Sequence, residues 1–368
     1  MIGAGAAGLH CAATAAKRGK RVLVLDHAKQ AGKKILISGG GRCNFTNMYA
    51  SHENFLSDNP HFCKSALSRY TQWDFIAMVE KHGIAYHERK HGELFCNDSA
   101  KDILKMLLNE CADARVEIRT KCTVGKIQAS SGEDKIKYHL KTNLGEFSCK
   151  SLVIASGGPS IPKMGATDFG LKLAKQFELN TYHFVAGLVP FTFPEKELDS
   201  LFRELSGTAV DVILSVNDTS FKEAILFTHR GMSGPAALQI SSYWQPGDSL
   251  TINLLPDIDL AQVLRATQHE RPKLSLKKFL AQWLTQKMSD QLVDALLPPE
   301  LSREQAITLA ELNAEQMDLI ANTFNYWQLI PSGTEGYRTA EVTLGGIDTD
   351  EVSSKTMMSK QQPGLYFI

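Results

Sequence analysis

This 368-residue chain has little of what would announce a disulfide scaffold, a metal site, a membrane protein or a polyelectrolyte-binding surface. Its seven cysteines, Cys11, Cys43, Cys63, Cys96, Cys111, Cys122 and Cys149, are odd in number and contain no Cys-x-x-Cys pair. That usage excludes a disulfide framework or a cysteine-based zinc site and fits reduced thiols in a cytoplasmic protein. No apolar stretch is long enough to span a bilayer, and the apolar start lacks the basic region of a signal peptide. Forty basic residues balance forty acidic ones. A net charge of zero argues against nucleic-acid or membrane affinity drawn from overall charge, so the expected partner is a small-molecule substrate, with neither nucleic acid nor membrane. Only Met1 and Ile2 precede the first motif, whereas a strand leading into it should supply about five residues, so an N-terminally truncated chain or a misplaced start is expected.

What is present starts at once. Gly3-Ala4-Gly5-Ala6-Ala7-Gly8 has the G-x-G-x-x-G spacing, followed by an alanine-rich helical run over 9–17, Gly19 as a stop, and an apolar strand over 21–25 ending at Asp26. In a βαβ unit the first glycine turns the chain, the second admits a pyrophosphate to the helix N-terminus, and the third lets helix and strand pack. Asp26 lies about 18 residues beyond Gly8, near the spacing at which a carboxylate accepts ribose hydroxyls. A tight turn in any α/β protein is the bland alternative, but strand, helix and acidic residue agree on dinucleotide binding.

A second loop, Lys33-Lys34-Ile35-Leu36-Ile37-Ser38-Gly39-Gly40-Gly41-Arg42-Cys43-Asn44-Phe45-Thr46-Asn47, joins three glycines to cationic and amide donors. Its backbone can lie flat on a ligand while side chains reach phosphate, ribityl or ring heteroatoms. A flexible surface loop would not need Ile35, Leu36 and Ile37 beside it. An amphipathic helix is expected over 99–111 with Ile103, Leu104, Leu107, Leu108 and Cys111 on one face. Strands follow over 115–119, 122–128, 135–141 and 146–151, with turns at 130–134 and 143–145, and then 152–158, where two glycines stop an apolar strand. Alternating segments over 189–193, 209–216, 220–227 and 249–254 read as antiparallel strands, and 260–268, 276–297 and 303–325 as helices. A strand typical of the first domain returns over 340–346, and the chain closes on Gly364-Leu365-Tyr366-Phe367-Ile368. The expected organisation is a split cofactor domain, 1–187 and 338–368, an inserted β domain, 188–256 and 326–337, and a helical subdomain, 257–325.

The fingerprint, the three-stranded meander, the Ala155-Ser156-Gly157-Gly158 strand end and the late Gly-Leu-Tyr-Phe strand together resemble the FAD domain of glutathione-reductase-type flavoproteins. Ser38 to Asn47, Phe227-Thr228-His229-Arg230-Gly231-Met232-Ser233-Gly234-Pro235 and Val342 to Ile347 narrow this. They resemble the bacterial BaiN-like (YhiN-like) FAD-dependent oxidoreductases, a family with aminoacetone-oxidase-like members. The resemblance covers essentially the whole chain. It implies an α/β Rossmann-like FAD domain with an inserted β-barrel-like unit and a helical subdomain. It places Gly3, Gly5 and Gly8 at the pyrophosphate and Asp26 at the adenosine ribose. Gly40, Gly41, Arg42, Cys43 and Asn44 lie along the ribityl and flavin end, Val124 at the adenine, and Ser156, Gly157 and Gly158 over the cofactor. Ala6, Ala7, His27, Lys34 and Ala155 complete the expected cofactor set. Relatives continue past the last strand into a Gly-Glu, glycine-rich segment that this sequence does not contain.

The residues leave the reaction open. His229, beside Arg230 in a Gly/Ser/Pro-bounded loop, is the candidate acid/base, against a purely structural role for the loop. Cys43 reads as packing against the cofactor, and His87 and His91 as surface histidines despite ligand-like spacing. The leading function is an FAD-dependent oxidoreductase that moves hydride between flavin and a small organic substrate, reducing an activated C=C bond or oxidising an amine. With no second fingerprint, NAD(P)H is expected to dock transiently as electron donor. The alternatives are an NAD-dependent dehydrogenase using the first fingerprint alone and a flavin-bearing adaptor or RNA-modification partner with a structural cofactor.

Overall fold

The computed structural model describes residues 1–130, 137–302 and 307–368. The chain separates into two units, one formed by Met1–Phe184 with Gly345–Ile368, the other by Val185–Leu344. Both crossings between them lie in a two-stranded ribbon, Thr181–Gly187 paired with Val342–Ile347. The late strand expected to rejoin the cofactor sheet is therefore half of this ribbon instead. Alternating apolar residues report a strand but not its neighbour, which is a long-range choice.

The first unit is built on a parallel sheet. Leu23–Leu25 pairs with Glu117–Arg119, and Leu365–Phe367 pairs with Leu152–Ile154. Ile2 bridges the two pairs, parallel to Leu25 on one side and Ile154 on the other. The Ile2 N–H donates to Val153 O and the Gly3 N–H to Leu25 O, each at 2.8 Å. The chain leaves this central rung in one direction to strands 23–25 and 117–119, and in the other to 152–154 and 365–367. That reversal is the switch point where doubly wound sheets open a crevice at the carboxyl ends of their strands.

Alternation distributes the core. Val24 faces a cluster with Leu9, Ala12, Ile103 and Leu107, whereas Leu25 joins Tyr138, Leu140, Leu152 and Leu173 on the opposite side. The helix expected over 99–111 spans Ala100–Asp113, capped by the Ser99 hydroxyl, which accepts from the Lys101 N–H; Leu108 is only half-buried. The meander is Val124–Ala129, Tyr138–Thr142 and Gly145–Cys149. The turn over 130–134 and the start of the strand expected from 135 lie outside the described residues, apart from Ser130. A further antiparallel trio, Asn44–Asn47, Glu93–Cys96 and Tyr86–Glu88, was not legible as strands.

The second unit is a seven-stranded antiparallel sheet whose longest hairpin pairs Ala209–Val216 with Thr219–Thr228. Its helices Leu260–Glu270, Gln286–Leu296 and Ala314–Asn325 bury Leu264, Leu292 and Phe324 in the same apolar cluster as the sheet residues Phe227 and Trp327. The single helix expected over 276–297 is two, Leu276–Leu280 and Gln286–Leu296. The break has a local cause: the Thr285 hydroxyl accepts from the Met288 N–H and starts a new helix. The helix expected from 303 begins at Ala314, capped by Asn313; residues 303–306 lie outside the described part.

Candidate functional site

The fingerprint glycines differ in what a side chain would meet. A Cβ on Gly3 would lie 2.2 Å from Ala155 O, and one on Gly8 would lie 2.0 Å from Gly3 O, so both glycines permit close backbone packing. A Cβ on Gly5 would meet nothing within 4 Å. Gly5 also caps the helix Ala6–Lys17 with no side chain of its own, leaving N–H groups at that end for an anion. The helix begins at the fingerprint, three residues earlier than its alanine-rich run indicated.

Asp26 does more than the ribose reading required. Its Oδ2 accepts from the Ala4 N–H at 2.7 Å and its Oδ1 from the Ala28 N–H at 2.8 Å. The carboxylate thus ties the glycine turn to the end of the strand Leu23–Leu25. Each oxygen retains lone-pair capacity toward the cavity that Asp26 lines.

That cavity, about 690 Å³, lies in the first unit. Gly3, Gly5, Ala6, Ala7, Asp26, His27, Lys34, Cys43, Asn44, Val124, Ala155, Ser156 and Gly157 all line it. Gly8, Gly40, Gly41, Arg42 and Gly158 do not. Gly8 acts one layer back, and the Gly158 carbonyl accepts from Lys34 Nζ at 3.3 Å. Partial desolvation lowers the Lys34 pKa. Lys33 Nζ donates to Met164 O at 2.7 Å, so the two lysines reach two different loops on the cavity rim.

The second glycine loop folds as a short helix, Lys33–Ile37, running into a turn, Ser38–Gly41. Gly39, Gly40 and Gly41 have φ of +55°, +65° and +86°, and Cys43 follows at +52°. Three left-handed residues in succession require glycine. A Cβ on Gly39 would sit 2.5 Å from Asn44 N and 2.8 Å from the Phe95 ring, whereas one on Gly40 would meet nothing within 4 Å. Cys43 is buried and burial raises its pKa, which keeps the thiol protonated as a packing group. Asn44 Nδ2 donates to Glu93 Oε1 at 3.2 Å.

Several lining residues had escaped sequence reasoning. His10 sits one helical turn beyond Ala6 and Ala7, a spacing that could have revealed it. Thr123 is held by Asn143, whose Oδ1 accepts from the Thr123 N–H at 2.6 Å, and the turn carrying Met164 to Thr167 contributes a whole wall. Phe45 and Phe75, with ring centroids 6.1 Å apart, form an apolar side. His229 belongs to the other unit. It is exposed in the hairpin turn between Thr219–Thr228 and Gly231–Ser233, where the Thr228 hydroxyl accepts from the Arg230 N–H and donates to Gly231 O. Arg230 pairs with Glu335 at 3.7 Å. His87 lies on a strand and His91 in the turn that follows, not on a helix; His87 Nδ1 is 2.8 Å from Asn97 Oδ1.

The family described as HI0933-like protein Rossmann domain matches residues 1–368. The chain belongs to that FAD-dependent family. It is 50% identical to the "Ribosomal RNA dihydrouridine synthase" of Escherichia coli K12 over 100% of this chain and 90% of that protein. It is 44% identical to the protein of the same name from Haemophilus influenzae, with the same coverage. A "3-dehydro-bile acid delta(4,6)-reductase" from Clostridium scindens is 25% identical over 100% of this chain and 90% of that protein. The chain is thus a flavoprotein oxidoreductase, FAD is its cofactor, and the NAD-only dehydrogenase reading falls. The open space at Gly5, the Asp26 carboxylate and the cavity are a donor and acceptor set that fits a dinucleotide.

The expectation that nucleic acid is not a partner is overturned by the two relatives named for ribosomal RNA. The error has a physical source. The first unit carries 28 Lys and Arg against 20 Asp and Glu, the second 12 against 20, so zero is the sum of +8 and −8. Over a screening length of about 8–10 Å a polyanion responds to local charge, not to the total. No helix among the described residues is long and apolar enough to cross a membrane.

Proposed function

We propose that this chain is an FAD-dependent reductase that saturates the C5–C6 double bond of a uridine in ribosomal RNA. The observation that carries the reading is the 50% identity across the whole chain to a protein named for that product. The chemistry is coherent with the more distant reductase, since uridine C6 is the β carbon of an unsaturated carbonyl and accepts hydride while the C4 carbonyl takes up the negative charge. Of the functions weighed from the sequence, reduction of an activated C=C bond and participation in RNA modification combine here.

In this reading Gly3, Gly5 and the N-terminus of Ala6–Lys17 hold the FAD pyrophosphate, Asp26 the ribose, and Thr123 with Val124 the adenine. Lys34, Ser156 and Gly157 close the near wall, and Cys43 and Asn44 lie along the flavin end. Bound FAD, reduced by NAD(P)H, supplies the hydride. Reduction of the alkene also needs one proton at C5, and His229, in the second unit, is the acid/base candidate that the sequence offers for it. Phe45 and Phe75 give the cavity an apolar wall.

Expressing the full-length gene in an Escherichia coli strain lacking its relative, then measuring dihydrouridine in hydrolysed ribosomal RNA by mass spectrometry, tests the reading. Restored dihydrouridine supports it and continued absence refutes it. His229→Asn should slow formation of the product without altering the flavin spectrum, and an unchanged rate removes His229 from the chemistry.

A further inference from the structure

We infer that the helical hairpin around Leu276–Leu280 and Gln286–Leu296 is a docking face for the phosphate backbone of RNA, an inference that rests on the RNA reading above. Residues 271–287 hold Arg271, Lys273, Lys277, Lys278 and Lys287 and no Asp or Glu. This stretch interrupts a unit in which 20 acidic residues outnumber 12 basic ones. Opposite in charge to the unit around it, it is a stretch that attracts a polyanion and does not repel it.

Most of this charge is uncommitted. Lys277 pairs with Asp294 at 2.6 Å, and Arg265, just upstream, pairs with Asp318. Arg271, Lys273, Lys278 and Lys287 are exposed and make no ion pair or side-chain hydrogen bond among the described residues. Like charges close in sequence with no acidic residue between them repel one another, a cost that a bound phosphate chain removes. The backbone that carries them is fixed: Leu276 N–H donates to Ile307 O, Leu309 N–H to Leu274 O, and the Ser289 hydroxyl to Lys277 O at 2.5 Å. The cations therefore project from a braced hairpin, not from a solvated tail.

Trp283 supplies the second observation. Its ring packs edge-on against buried Phe279, centroids 5.2 Å apart, yet the residue stays 38% exposed. Exposed Gln282, Gln286 and Lys287 surround it in sequence. A held indole face among cations and amides is the arrangement by which proteins stack an unpaired base while tracking its phosphates.

The test uses the full-length holoprotein and a fluorescent single-stranded fragment of ribosomal RNA, with affinity measured across a salt series. The variant Arg271→Gln, Lys273→Gln, Lys278→Gln, Lys287→Gln should bind more weakly and lower the slope of log K against log salt by about 3, with FAD content unchanged. Trp283→Leu should bind several-fold more weakly with the slope retained. An unchanged affinity and slope in the quadruple variant overturns the inference, as does failure of the wild type to bind RNA, or displacement of RNA by a polyglutamate peptide at equal charge concentration, which would assign the face to an acidic protein. The two readings separate cleanly. A wild type that binds RNA through this face but forms no dihydrouridine removes the proposed activity alone. Unchanged binding by the quadruple variant beside a wild type that forms the product removes the docking face alone.

Discussion

The unit of residues 1–184 and 345–368 keeps a cavity of about 690 Å³ open beside its parallel sheet, and at its edge a Cβ on Gly3 would come 2.2 Å from Ala155 O. Residues 185–344 instead gather one continuous apolar cluster, in which Phe193 stacks on Phe202, Phe202 tilts against Phe227 and Phe227 stacks on Trp327. The first unit splits its apolar residues between two clusters on opposite sides of a sheet. Binding a large cofactor requires unfilled space held open by backbone, and that space is stability forgone, whereas close packing of the rings in the second unit turns their surface into contact.

The comparison is sharpened most by Phe227→Ala, which removes a fully buried ring from the second unit and should destabilise the protein by about 3–5 kcal/mol in urea titration, with FAD stoichiometry unchanged in the folded protein. Loss of FAD at low urea would break the comparison. Gly8→Ala brings a methyl against Gly3 O and should cost about 3 kcal/mol, the upper end of overpacking effects, and abolish FAD binding. Equilibrium dialysis with FAD checks it. Asp26→Ala leaves the Ala4 and Ala28 N–H groups without their acceptor and should cost about 2 kcal/mol of stability even without FAD. An effect confined to the FAD dissociation constant would show the carboxylate serving the ligand alone.

Gly40→Ala meets no neighbour, so its cost should be only the left-handed backbone term, about 1 kcal/mol. A larger loss seen only with FAD present would place the cofactor against that glycine. The smallest expected effect is on alkaline stability. Burial pushes the Cys96 thiol up to about 12, and raises Cys43 and Cys111 as well. These groups ionise in the unfolded chain first, so their stabilising contribution is complete below about pH 8.5 and is lost as pH rises toward 12. Denaturant midpoints measured from pH 8 upward should fall, and Cys96→Ser should flatten that fall.

The hairpin of residues 209–228 was legible because its alternation is local and one face is buried. The break at Thr285 was not, because Leu284 and Met288 continue a helical apolar pattern across it and only the hydroxyl cap reveals the stop. The cavity-lining residues Gly3, Gly5, Cys43 and Asn44 were legible from spacing, whereas Gly40, Gly41 and Arg42, expected with them, do not line the cavity. His10, Thr123 and the 164–167 turn were not, because nothing in their local sequence records the cavity they come to line.

By itself the sequence determined the spacing of the dinucleotide fingerprint at Gly3, Gly5 and Gly8, the carboxylate that follows it at Asp26 and the family to which these residues belong. Each is carried by residue type and short-range spacing. Tertiary structure alone decided that Ile2 bridges strands 23–25 and 152–154, that Asp26 secures the glycine turn, and that the strand 342–347 pairs with 181–187. Those outcomes depend on which distant segments meet. Hydrogen bonds between segments more than 20 residues apart are selected by the packing of whole faces, and no local pattern of residues encodes them.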